Sequence, residues 1–167
     1  MYLAYEKLIR HLNEADIKYR ANSDEQSIWA DFRGQNAAYQ IVARVNEEAG
    51  VFRVYGNFPV GIPRGARSAI AETIIRANYG LQFGRFEMNF DDGHLRFHTT
   101  QVMTGNCLED EIIDVMIQVT IVMLDRYLPA ILSVVYGNEL PQDAIRHVEE
   151  AICDEEERPD LPDDIPF

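Results

Sequence analysis

Only two cysteines occur in the chain, Cys107 and Cys153, and they form no C-x-x-C pair. They suit a reducing compartment, and a disulfide between them stays open. Bases are outnumbered, with 15 Lys and Arg against 28 Asp and Glu, for a formal net charge of −13. Phosphate-backbone binding draws on Lys and Arg clusters, so nucleic acid is not the expected partner. The phosphate-loop consensus is also missing. Gly56 and Gly61 are followed by Ile62-Pro63, so Gly61–Gly65 reads as the start of a helix despite Arg64 and Arg67. The opening MYLAYEKLIRHLNE is amphipathic and holds no apolar signal block, so the expectation is a cytoplasmic, soluble protein. There is no internal repeat and no catalytic or cofactor signature. The protein is expected not to be an enzyme and to need no cofactor.

Against these absences stands a 47% apolar content, which excludes global disorder. A chain of 167 residues is long enough for one domain with a proper core and a tail. The charge is uneven. From Glu149 to Phe167 there are nine acids and one base, Arg158, so a mildly acidic domain is followed by a strongly acidic segment.

The most apolar run lies between Leu108 and Gly137. A helix over 108–128 would be about 30 Å long, the width of a small domain. Its polar positions, Glu111, Asp114, Gln118 and Asp125, fall on one stripe. The charge-free part, Val115 to Leu124, contains Gln118 and is bounded by Asp114 and Asp125-Arg126. That is short of the about 20 apolar residues of a membrane span, so a buried core helix is expected. Ile121 interrupts the polar stripe. It reads either as a stray surface residue or as a subunit or partner contact. Pro129 is expected to kink or break the helix through the carbonyl of Asp125, leaving 130–136 as a separate apolar turn. Glu109, Asp110 and Glu111 crowd the first turn, where the helix dipole already favours acids.

Upstream, residues 2 to about 16 have helical spacing, with His11 outside. Segments 27–33, 38–46 and 51–56 then alternate with period two, separated by turn residues, which gives an antiparallel meander. Facing sets its register: Phe32 opposite Tyr39, and Val45 opposite Phe52. The same register aligns Trp29, Val42 and Tyr55 on the face away from the core. Either another element, such as the C-terminal helix, covers that row, or it is a docking surface for a peptide or a second subunit. Arg44 opposite Arg53 is a like-charge pair that calls for a nearby acid. A helix from about Pro63 to Asn78 follows. A two-residue Asp92-Gly93 turn then pairs Phe90 with Leu95, Met88 with Phe97 and Phe86 with Thr99. His94 and His98 stand about 13 Å apart on a strand, too far to share a zinc ion, and are read as surface residues. Pro141 opens a last helix with Ala144, Ile145, Val148 and Ile152 on one apolar face.

This order, with RANYGLQFGRFEMNFDDGHLRFHT and LDRYLPAILSVVYGNELPQDAIRHVEE, resembles the YbjN domain family, bacterial proteins described as sensory transduction regulators. The shared marks are Ile62-Pro63 before the middle helix, Arg76-Ala-Asn78 near its end, Gly84 before an F-x-M-x-F-type strand, and Asp92-Gly93. The Tyr127-Leu-Pro129…Tyr136-Gly137 block and the Pro141-x-x-Ala144-Ile145 helix complete them. The resemblance covers about residues 2–152 and rests on packing and turn positions. It implies a fold similar to class I type III secretion chaperones, commonly dimeric and binding protein segments.

The expected architecture is therefore α+β, an antiparallel sheet of about five strands packed against helices, in the order α-β-β-β-α-β-β-α(-α). The domain is expected over 1–152, with a disordered acidic tail over 153–167. The expected function is a protein-binding adaptor or regulator, a homodimer, contacting neither nucleic acid nor membrane and holding no metal. Its candidate partner-binding residues are Trp29, Val42, Tyr55 and Ile121. The alternatives are a small-molecule sensor with its ligand between sheet and helices and, further off, a hydrolase using Glu109, Asp110 or Asp114.

Overall fold

A computed structural model describes residues 3–156. The chain is α+β: α1 (Leu3–Glu14), β1 (Arg20–Asn22), β2 (Ser27–Arg33), β3 (Ala38–Asn46), β4 (Val51–Asn57), α2 (Arg67–Asn78), β5 (Arg85–Met88), β6 (Leu95–Val102), α3 (Asp110–Tyr136) and α4 (Pro141–Glu156). The strands form one antiparallel sheet in the order β1-β2-β3-β4-β6-β5.

The meander has the register that apolar facing demands, with Phe32 opposite Tyr39, Ala30 opposite Ile41 and Val45 opposite Phe52. The sheet has six strands rather than five. The added β1 is three residues long and pairs Arg20–Asn22 with Ser27–Trp29. It carries no apolar alternation and exists because the Asn22–Ser27 turn folds it back. In that turn Asn22 Oδ1 accepts the amides of Asp24 and Glu25.

The second hairpin differs from expectation by two residues. Phe86 pairs with Phe97 and Met88 with Leu95, so the connection is a loop over 89–94 rather than a two-residue turn. A shift of two leaves every side chain on its face, so the apolar pattern could not separate the two registers. The loop is decided by long-range contacts. Arg67 donates to the carbonyls of Phe90 and Asp91, and the Ile62 amide donates to the Gly93 carbonyl at 2.9 Å. Gly93 has φ +78°, and a Cβ there would run into the Ile62 carbonyl. Phe90, expected in the core, is exposed.

α3 lies on one face of the sheet and makes the centre of the core. Ile113, Ile117, Leu124, Leu128 and Ile131 are buried against Ile41, Phe52, Val54 and Phe97. Gly56 allows close approach, since a Cβ there would strike Leu124 and Ile41. By length and composition α3 alone among the described residues could cross a membrane. Here its apolar side is spent on the sheet, α1, α2 and α4.

The expected break at Pro129 does not occur, and α3 runs unbroken through 27 residues. A proline withholds the amide that the carbonyl four residues earlier needs. That carbonyl belongs to Asp125, and Asn36 Nδ2 donates to it at 2.9 Å. The β2–β3 turn thus supplies the missing donor. α3 ends at Gly137, whose amide donates to Ser133 O. α4 packs on α2 and α3 and runs four residues past the boundary expected at 152. The disordered tail expected beyond it otherwise falls on residues 157–167, outside the described residues.

Candidate functional site

All four helices stand on the inner face of the sheet. Among the described residues no element crosses the outer face, so the C-terminal helix does not cover the Trp29 row. Strand register lays one line across the full sheet: Arg20, Trp29, Val42, Tyr55, His98 and Arg85. Trp29 and Tyr55 are half-buried, and Val42 between them is only 4% exposed. With no helix above it, Val42 owes that burial to the side chains flanking it. A continuous low apolar ridge results.

Charge surrounds the ridge. Six of the chain's 15 Lys and Arg residues take the outer face: Arg20, Arg33, Arg44, Arg53, Arg85 and Arg96. Two acids share it, Asp31 and Glu87. Arg44 and Arg53 are direct cross-strand neighbours, both exposed. Arg44 Nε donates to the Glu25 carbonyl at 3.3 Å and stands 4.0 Å from the Glu25 carboxylate. Arg53 has no ion-pair partner among the described residues. A like-charge pair opposes folding, so these two arginines are not placed for stability.

One end of the ridge is rigid. Glu87 accepts from Arg85 and Arg96, each at 2.8 Å, and from His98 Nδ1 at 3.2 Å. Burial by itself would raise the Glu87 carboxyl. The hydrogen bonds from Arg96 and His98 and the nearby cationic charge outweigh it and hold the group at about 2. His98 is buried rather than exposed as expected, and burial lowers its pKa, against the opposing pull of Glu87. It is therefore neutral at pH 7 and serves Glu87 as a hydrogen-bond donor, while the arginines supply the charge. Its Nε2 meets Thr100 Oγ1 at 3.0 Å. Tyr55 stands edge-on to the His98 ring, and the Arg96 guanidinium lies 5.1 Å from the Tyr55 ring centre, a cation–π contact.

The four candidate residues do not form one surface. Trp29, Val42 and Tyr55 are aligned as the register requires, whereas Ile121 is on α3, on the opposite side of the sheet. It lines a groove of about 870 Å³ between the β2–β3 turn, α3 and α4, with Val122, Ala130, Val148, Ile152 and Arg33. There it is half-buried and packed against the core.

Asp125 also borders that groove. It was legible only as a member of the polar stripe, but it clamps the β2–β3 turn. Its carboxylate accepts the amides of Gln35 and Asn36 and the Tyr39 hydroxyl, all at 2.9 Å. Partial burial would raise its pKa, but these donors hold it below the usual range. The acids at the start of α3 are likewise engaged. Asp110 takes Lys7 at 2.6 Å and His11 at 3.0 Å, and Asp114 takes His11 at 2.7 Å. His11, expected as a plain surface residue, is the bridge that ties α1 to α3. His94 bonds Asn57 at 2.9 Å, separately from His98. Among the described residues no three His, Cys, Asp or Glu groups converge as a metal site would need.

The family marks acquire physical roles. Asn78 grips β5, accepting the Phe86 amide at 2.7 Å and donating to its carbonyl at 3.0 Å. The Ile62 and Gly93 pair holds the hairpin loop. These features define an α+β domain whose helices leave one sheet face free. The sequence profile of the YbjN family, described as "Putative bacterial sensory transduction regulator", matches residues 4–133. The chain belongs to the YbjN family. The profile stops inside α3, so the end of α3 and all of α4 lie beyond it. No curated relative matches the sequence.

Proposed function

We propose that this chain is a non-enzymatic protein-binding module, a chaperone-like adaptor or regulator of the bacterial cytoplasm that works as a homodimer. The observation that carries the reading is the open outer face with its Trp29–Val42–Tyr55 ridge. Half-buried aromatics beside arginines are the residue types that dominate binding energy at protein interfaces. The family's description as a regulator of sensory transduction agrees with a role in contacts rather than turnover. A fold similar to class I type III secretion chaperones, which the sequence resemblance implies, would agree with the same reading by analogy alone. Capture from native extract by wild type and by a Trp29→Asp/Tyr55→Asp variant, read by mass spectrometry, tests it. A partner held by the first and lost by a folded second supports the reading. Identical capture by both overturns this surface.

The groove at Ile121 favours a second reading, a small-molecule sensor. Its volume of about 870 Å³ suits a metabolite, and His147 and Glu139, paired at 2.8 Å, stand at its margin. A reproducible rise in melting temperature with one class of metabolite, removed by Ala130→Trp in the groove, would favour it.

A further inference from the structure

We infer that the chain's own acidic C-terminal segment, residues 157–167, docks on the outer face of the sheet and masks the Trp29–Val42–Tyr55 ridge. This rests on the reading of that face as the binding surface and adds its regulation. Three observations carry it.

The first is charge. The outer face gathers six arginines against Asp31 and Glu87, on a chain whose net charge is −13. Arg20, Arg33 and Arg53 have no ion-pair partner among the described residues, and Arg44 has only Glu25 at 4.0 Å. The segment ERPDLPDDIPF brings Glu157, Asp160, Asp163 and Asp164 against a single Arg158. Its apolar Leu161, Ile165 and Phe167 lie among those acids, and the apolar ridge lies among the arginines.

The second is position. Ala151 and Ile152, near the end of α4, line one groove with Arg33 and Gly34 of the β2–β3 turn. Arg33 is the outer-face arginine at that margin of the sheet. The C-terminal part of α4, which residues 157–167 follow in sequence, therefore borders the same groove as that arginine.

The third is reach. An extended chain covers at most about 3.3–3.6 Å per residue, so the 11 residues 157–167 span up to about 40 Å. The outer face from Arg33 to Ser27 along β2 is about 20 Å long. The segment is long enough to turn the margin and cross the ridge. Being tethered, it competes at a high effective concentration, so a partner must displace it.

Trp29 is the chain's one tryptophan, which makes the test direct. Acrylamide quenching of its fluorescence is measured in the full chain, in a Glu157→Gln/Asp160→Asn/Asp163→Asn/Asp164→Asn variant, and in Arg44→Ser/Arg53→Ser. At about 0.1 M salt, where the Debye length is ~10 Å, the quenching constant is expected to rise about twofold in both variants over wild type. At about 1 M salt, with a Debye length of ~3 Å, wild type is expected to match them. A synthetic peptide of residues 157–167 should restore protection to the tail-neutralised protein but not to Arg44→Ser/Arg53→Ser. Equal quenching of wild type and the tail variant overturns the inference. So does protection by a dT oligonucleotide that equals the peptide's, which would assign the face to nucleic acid. The binding reading fails separately: it falls if capture survives Trp29→Asp/Tyr55→Asp, whatever the quenching shows.

Discussion

The two faces of the sheet are built from the same strands, residue by residue in alternation, and they obey different rules. On the inner face Ile41, Phe52, Val54 and Phe97 are fully covered by α3 and its neighbours. On the outer face the same strands put Arg44 beside Arg53 and a tryptophan beside a valine with no helix above. The inner face minimises exposed apolar surface and unpaired charge. The outer face keeps both at hand. Strands that serve only as a core wall would gain from a neutral polar outer face. The contrast agrees with the proposal that the core is built on one side and that recognition takes place on the other.

The largest effect expected from breaking this contrast is on the inner side. Phe97→Ala should cost about 3–5 kcal/mol, since the ring is fully buried against Phe86. Urea unfolding would show this as a lowered midpoint, and a loss under about 1 kcal/mol would contradict the assigned core.

Next comes the clamp that holds the β2–β3 turn to α3. Asp125→Ala removes the acceptor of three hydrogen bonds and should cost about 2–3 kcal/mol. It should also raise amide exchange at Gln35 and Asn36. Unchanged exchange there would show that the turn holds without it.

Acid should act through the outer face's rigid end. His98 has its folded pKa lowered below the ordinary 6.5, so its contribution is complete above about 6.5 and is lost as pH falls towards the folded value. Glu87 has a folded pKa of about 2 against an ordinary 4.5, so its contribution is complete above about 4.5 and fades as pH falls through 2. The urea midpoint should be flat from pH 8 to 7 and begin to fall below 6.5. It should drop further below 4.5, where Asp125 also contributes. His98→Gln should remove the first decline and leave the second. A flat midpoint between pH 7 and 5 in wild type would contradict the buried, neutral histidine.

The smallest effect is expected at the arginine pair. Arg53→Ser relieves a like-charge contact and should leave stability unchanged or raise it by about 0.2–0.5 kcal/mol. A clear loss would mean that this arginine serves the fold after all.

Much of this was legible in the sequence, for identifiable reasons. Alternation fixed the meander, because a one-residue slip would have turned Ile28, Ile41 and Val54 to water. The register then placed Trp29, Val42 and Tyr55 in a row and Arg44 beside Arg53. Three features were out of reach because distant residues decide them. The 89–94 loop depends on Arg67 and Ile62, and a shift of two keeps all facings. The continuity of α3 at Pro129 depends on Asn36, nearly a hundred residues earlier in the chain. The bareness of the outer face depends on where α4 packs. The surroundings of Ile121 were hidden for a related reason: it sits on a polar stripe along its helix, but α4 and the β2–β3 turn rise around it.

We propose that the Trp29–Val42–Tyr55 ridge serves recognition, while the Glu87–His98 end of the same face serves the fold. Capture of a partner by Trp29→Asp/Tyr55→Asp, with its unfolding free energy measured on the same preparation, tests it most directly. A stability within about 1 kcal/mol of wild type together with loss of capture is expected. A variant that unfolds, or one that is stable and captures as wild type does, would contradict it.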